Sequence, residues 1–230
     1  MTTETMKGLV TALSLAPGSA GTGAGVLAAG TYTRQVGLYA DDGRGDVIGV
    51  FALPENDEKG GGGGGVTQLL WSQDGRYLYI AERLSDVVSV YDIRVTGMRV
   101  ESFAGRNAAT NQRMAVDVAY GLGGEVLGGG LDGSVKIWES GHGKGGGAAV
   151  GSAVGGWQAH DDPVTSAVMH PSGSVMATCS GQRKAFGLRG ASSSSSSGSD
   201  GDDSEGESVA WDNSLKIWEI PAARNSLEVG

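Results

Sequence analysis

Ser134-Val135-Lys136-Ile137-Trp138-Glu139 and Ser214-Leu215-Lys216-Ile217-Trp218-Glu219 are one hexapeptide written twice with a single change. Apolar Val or Leu, Ile, and polar Lys alternate in it, the period-2 pattern of a strand with one buried face. Two looser copies lie upstream, Gln35-Val36-Gly37-Leu38-Tyr39 and Val87-Val88-Ser89-Val90-Tyr91-Asp92. Tyr39, Tyr91 and Trp138 stand 52 and 47 residues apart, close to the period of about 40–45 residues of a four-stranded repeat. Ahead of each aromatic the same order returns. In the second unit it is Val66 to Trp71, the turn Gln73-Asp74-Gly75, then Tyr77 to Ala81; in the fourth it is Val164 to Met169, Pro171-Ser172-Gly173, then Val175 to Ser180. Asp-Gly and Ser-Gly supply the positive φ that tight hairpins require.

Tyr91-Asp92, Trp138-Glu139 and Trp218-Glu219 stand where WD40 repeats carry Trp-Asp, and the chain resembles that family. The resemblance implies an all-β, WD40-type β-propeller, with four units over approximately 8–40, 47–93, 99–139 and 154–220 of residues 1–230. It also implies a closed ring of about seven blades, so four units lead us to expect a fragment of a larger ring. Third strands are expected to end at Tyr39, Tyr91, Trp138 and Trp218. In such a repeat a His donates to an Asp in the turn before the third strand. Ala159-His160 and Asp212 hold those places in the fourth unit, whereas the third has its turn residue Asp132 without a His ahead of it.

Composition narrows the function. Of the net charge of −9, five acids (Asp200, Asp202, Asp203, Glu205, Glu207) fall in one Ser-rich run, leaving about −4 for the rest and room for a local basic rim. That run belongs to a low-complexity insert over 187–207 that cannot bury enough apolar surface to order itself. The single cysteine, Cys179, excludes an internal disulfide and is expected to be a buried, inert thiol. His142, His160 and His170 lack metal-ligand spacing. Gly60 to Gly65 and Gly143-Lys144 lack the Gly-Lys-Ser/Thr ending of a phosphate loop. Lys7 and the apolar stretch after it faintly imitate a secretory signal, but Val10 to Ala16 reads better as a short strand ending in Pro17-Gly18. No apolar run approaches the roughly 20 residues of a membrane span. A non-enzymatic platform without cofactor or metal is therefore expected.

Several longer strings resemble the telomerase Cajal body protein family. They are Gly30-Thr31-Tyr32 with Val36-Gly37-Leu38-Tyr39-Ala40, then Tyr91-Asp92-Ile93-Arg94, Thr110-Asn111-Gln112-Arg113, and Ala177-Thr178-Cys179-Ser180-Gly181-Gln182-Arg183, in that order. The resemblance runs from about Val10 to Trp218 and corresponds to the C-terminal part of that family's propeller. It implies a scaffold that binds small nuclear or Cajal body RNA and its RNP proteins. The setting would be telomerase RNA or small Cajal body RNA localisation, or spliceosomal particles, in the nucleus (Cajal body or nucleoplasm), with the cytoplasm as a further location.

The residues themselves leave two readings open. Nothing in a blade pattern calls for Gln112-Arg113 or Gln182-Arg183 where a strand meets a loop, and an Arg fork suits phosphate or a base edge. Equally, Arg113 and Arg183 could form salt bridges or cap loops, in which case the chain is a generic protein-interaction adaptor without direct RNA contact. Clustering of Arg113 and Arg183 on one exposed face with Arg34 or Lys184 would favour RNA; pairing of each with an acid inside its blade would favour the adaptor.

Overall fold

A computed structural model describes residues 5–18, 25–55, 62–120, 124–141, 149–181 and 212–220. Over these residues the chain is all-β. A 3-10 turn lies at Asp41–Gly43, and among the described residues no helix is long and apolar enough to cross a membrane.

Strands β1 (Val10–Leu15), β2 (Leu27–Thr31), β3 (Gln35–Tyr39) and β4 (Val47–Ala52) form the first antiparallel sheet in chain order. The second contains β5 (Val66–Trp71), β6 (Tyr77–Glu82), β7 (Val88–Asp92) and β8 (Met98–Phe103). The third is built from β9 (Val116–Ala119), β10 (Glu125–Gly129), β11 (Ser134–Trp138) and, beyond β12 (Ala149–Gly151), β13 (Gly155–Gln158). The last comprises β14 (Val164–Met169), β15 (Val175–Ser180) and β16 (Leu215–Glu219). Tyr39 and Trp138 end their strands, and β7 and β16 run one residue past Tyr91 and Trp218. The segment that imitates a secretory signal is strand β1.

The sheets are offset by one strand from the units counted along the sequence. Strand β4 pairs with β3, β8 with β7, and β13 with β11. The units starting at about 47, 99 and 154 thus open on the outer strand of the preceding sheet. In the first two blades the physical reason is that the strand after the aromatic is joined to it by a shorter loop and folds straight back on it, whereas the longer connection that follows carries the chain to the next blade; in the third the longer connection, with β12 in it, comes before β13. A second difference is β12, which leaves the third sheet and pairs in parallel with β8 of the second, Val150 opposite Ser102.

Adjacent blades bury apolar faces against each other, and the repeated aromatic sits in that seam. Tyr91 is 2 % exposed in a cluster with Val36, Leu38 and Leu53 of the first blade, its ring 5.1 Å from that of Phe51. Trp138 is wholly buried with Tyr79, Val88 and Phe103 of the second blade. Trp218, half-buried, packs with Leu127 of the third and with Trp157. The inner strands are stitched by side chains. The Gln68 amide donates to the Val116 carbonyl and accepts from its N–H, both at 2.9 Å, and Asp117 accepts from the Met169 N–H at 2.8 Å. Hairpin glycines adopt the required backbone, with φ of 68° at Gly75 and 73° at Gly173.

Candidate functional site: a pinned loop face beside a histidine lock

The fourth blade closes the way the motif implies. His160, 1 % exposed, places Nδ1 3.0 Å from Asp212 Oδ2 and Nε2 2.8 Å from Thr178 Oγ1, while Trp218 Nε1 donates to the same Thr178 oxygen at 2.8 Å. Every donor is matched if Thr178 donates to a neutral His160 Nε2 and Nδ1–H donates to the carboxylate. Asp212 also accepts from the Ser214 hydroxyl and the Asp161 N–H. The Ser214 hydroxyl, then the Asp161 amide and His160, hold its carboxyl well below the usual carboxylate range, against desolvation that pushes it up.

His160→Ala is expected to cost about 1–3 kcal/mol, because Thr178 loses its acceptor in a buried site; chemical denaturation measures it, with Trp218 fluorescence as a local reporter. Asp212 makes a separate pH prediction. A carboxyl whose folded pKa is depressed stabilises the fold above its unfolded value of about 3.9 and loses that contribution as pH falls towards the folded value. Melting temperature should therefore drop below about pH 4, and Asp212→Asn should flatten the part of that dependence due to this residue.

In the third blade Asp132 caps its own turn, accepting from the Ser134 N–H at 3.1 Å and its hydroxyl at 2.7 Å. Arg106 stands on the loop between β8 and β9, where His160 stands on the loop before β14. It is 1 % exposed, and burial pushes its guanidinium down to about 10. Nε reaches the Gly129 carbonyl at 3.4 Å and Nη2 donates to the carbonyl of Met114. Sequence reading missed Arg106; the signal was Gly105-Arg106 at the place of Ala159-His160.

The same loop, residues 104–115, carries Gln112 and Arg113, and it is tied down on both sides of the arginine. Asp86 accepts from the Ala108 N–H, the Thr110 carbonyl accepts from Leu84 N–H at 3.0 Å, and the Asn111 carbonyl accepts from Arg83 Nη1 at 2.9 Å. Beyond it, the Met114 carbonyl takes Arg106, and Ala115 N–H donates to Thr165 at 2.8 Å. Between these anchors the side chain of Arg113 is exposed and forms no ion pair among the described residues. Gln112 Nε2 donates to the Gly181 carbonyl at 2.8 Å, which brings the first Gln-Arg string against the residue that precedes the second. Gln182, Arg183, Lys184, His142 and the insert over 187–207 lie outside the described residues.

Arg34 does not join Arg113 as a free cation. Its Nε lies 2.7 Å from Glu82 Oε1 and its Nη2 donates to the Pro54 carbonyl at 2.8 Å, an ion pair across the first two blades. Such a pair between largely buried partners fits a structural role. Cys179 is half-buried rather than buried; the bulge at Thr165 leaves the end of β15 loosely covered, with Thr165 Oγ1 3.4 Å from its sulfur. No group of three or more His, Cys, Asp or Glu among the described residues could hold a metal.

The family model "WD domain, G-beta repeat" matches residues 151–185, the stretch that carries His160 and Thr178. With four sheets built from antiparallel repeats and the His–Asp lock, the chain is a WD40-repeat protein. Within that class it is related to the telomerase Cajal body proteins. It is 33 % identical over 158 residues to telomerase Cajal body protein 1 of Homo sapiens, covering 68 % of this chain and 26 % of that protein, and 32 % identical over 160 residues to the Bos taurus protein, covering 68 % and 26 %. It is also similar to guanine nucleotide-binding protein negative regulator 1 of Schizosaccharomyces pombe, 38 % over 135 residues, covering 59 % of this chain and 31 % of the relative. The chain thus spans less than a third of the length of these relatives.

Proposed function

We propose that this chain is a non-catalytic nuclear scaffold that binds small nuclear or Cajal body RNA, and with it RNP proteins, through Gln112-Arg113 on the loop over 104–115 and through Gln182-Arg183. The observation that carries the reading is Arg113. Backbone carbonyls or amides on either side of it are spoken for by Arg83, Leu84, Arg106 and Thr165, while its own side chain is exposed and has no acid partner among the described residues. A rigid scaffold that presents an unpaired fork suits bidentate contact with phosphate or a guanine edge. Gln112 ties this loop to Gly181, the residue that precedes Gln182 in the sequence. The kinship with proteins named for the Cajal body agrees in kind.

The adaptor reading has its own support, the commitment of Arg34 to Glu82 and the overall charge of −9. Crosslinking in cells separates the two. Arg113→Ala with Arg183→Ala is expected to lower the yield of RNA crosslinked to the protein about tenfold or more, the loss of at least one good bidentate contact. Arg→Lys at either position should also weaken it although charge is kept. Unchanged crosslinking in the double variant would make both arginines structural and the chain a protein adaptor.

A further inference from the structure

Arg106 is a fully buried cation with no salt bridge among the described residues, an arrangement that costs desolvation free energy. Its neighbours are shaped to hold it. At the place where the fourth blade has Thr178, opposite Lys216, the third has Gly128, opposite Lys136. A Cβ on Gly128 would come within 3.4 Å of Arg106 Cδ and Nε and 3.3 Å of Trp138 Cζ3. Trp138, with no hydroxyl to bond as Trp218 bonds Thr178, donates instead to the Ala104 carbonyl at 3.1 Å. The His–Thr pair of the fourth blade is thus replaced in the third by an Arg–Gly pair, and the longer side chain does what histidine cannot. It crosses under its own loop to the carbonyl of Met114, the residue that follows Arg113.

We propose that Arg106 is a positioning residue for the RNA-binding face: its guanidinium, held between Gly129 and Met114, sets the presentation of Arg113. The inference rests on the reading of Arg113 as an RNA contact, and its test separates the two. Arg106→Met fills much of the same volume without a donor, so the core stays packed while the tie to Met114 is cut. Hydrogen–deuterium exchange of this chain then reads the loop directly. Amides of residues 108–115, protected in the parent by bonds such as Ala108 to Asp86 and Ala115 to Thr165, are expected to exchange about tenfold faster, the effect of a lost charge-assisted hydrogen bond. Those of β6 should be unchanged. Arg106→Lys, which keeps one donor, should fall between the two. Crosslinking to 4-thiouridine-labelled nuclear small RNA is measured on the same variants. Faster loop exchange with reduced crosslinking supports the proposal. Faster exchange with full crosslinking keeps the positioning role and overturns the RNA reading. Unchanged exchange overturns the positioning role whatever the crosslinking does. Should Arg106→Met fail to fold, Gly128→Ala in the otherwise intact chain crowds the same guanidinium, and the same exchange ratio decides.

Discussion

Trp138→Ala should remove about 3–5 kcal/mol of folding stability, the usual cost of emptying a large aromatic site that cannot collapse. The ring is wholly buried and lies 6.3 Å from that of Phe103, the last residue of the neighbouring blade's outer strand. It belongs to a cluster that draws on both blades, Tyr79, Val88 and Val90 from one and Val116, Val118 and Val126 from the other. Its indole N–H also fixes Ala104, the first residue of the loop that carries Arg106 and Arg113. The deletion would therefore loosen a blade seam and leave the Ala104 carbonyl without its donor. Urea denaturation followed by circular dichroism gives the loss. Trp218→Ala is the comparison: that indole is only half-buried, so less apolar area is at stake and a smaller loss is expected. A cost for Trp138→Ala no larger than for Trp218→Ala would show that the seam between the second and third blades is not where the stability resides.

Gly133→Ala is expected to cost more than about 3 kcal/mol, and for two separable reasons. Gly133 has φ of 80°, a conformation that costs an alanine about 1–2 kcal/mol. A Cβ there would also stand 2.0 Å from the backbone oxygen of His160, so the backbone must move. Moving it breaks the bonds by which the Gly133 carbonyl accepts from the N–H groups of both Ala159 and His160, each 3.0 Å, and tilts the histidine that locks the fourth blade. Gly105→Ala isolates the first reason, because Gly105 has φ of 81° and open space around it. The difference between the two variants in chemical denaturation measures the collision. Equal losses would mean that the turn gives way without disturbing His160.

Much of this architecture could be read from local pattern. The period-2 runs around Trp138 and Trp218, the Asp-Gly and Ser-Gly turns, and the aromatic that ends each third strand identified the strands and their order. His160 and Asp212 could be paired because a repeat places equivalent residues in equivalent surroundings, and they meet at 3.0 Å although 52 residues separate them. The partner of each fourth strand was less visible, since backbone hydrogen bonds are nearly blind to side-chain identity and the strand after an aromatic reads equally well as the start of the next unit. For the same reason nothing in Ala149-Val150-Gly151 announces that it leaves its own blade for the edge of β8.

The site divides along the same line. Gln112 and Arg113 stood out in the sequence as polar residues with no place in a blade pattern, but what each does depends on neighbours brought in by the fold. Gln112 meets Gly181, 69 residues away, and Arg113 is left exposed between anchors supplied by Arg83 and Leu84 in the turn after β6, by Arg106 and by the fourth blade. Arg34 looks like any other arginine in a loop, and Arg106 is marked only by the Gly105 before it. The first is claimed by Glu82 of the next blade, and the second is buried because Gly128 leaves room for it. The sequence alone determined which segments are strands, since that follows from side-chain alternation within a few residues. Only the tertiary structure decided which of the described arginines are spoken for and that Arg113 stays exposed, because the fate of a charge is set by the acids, carbonyls and solvent that packing places around it.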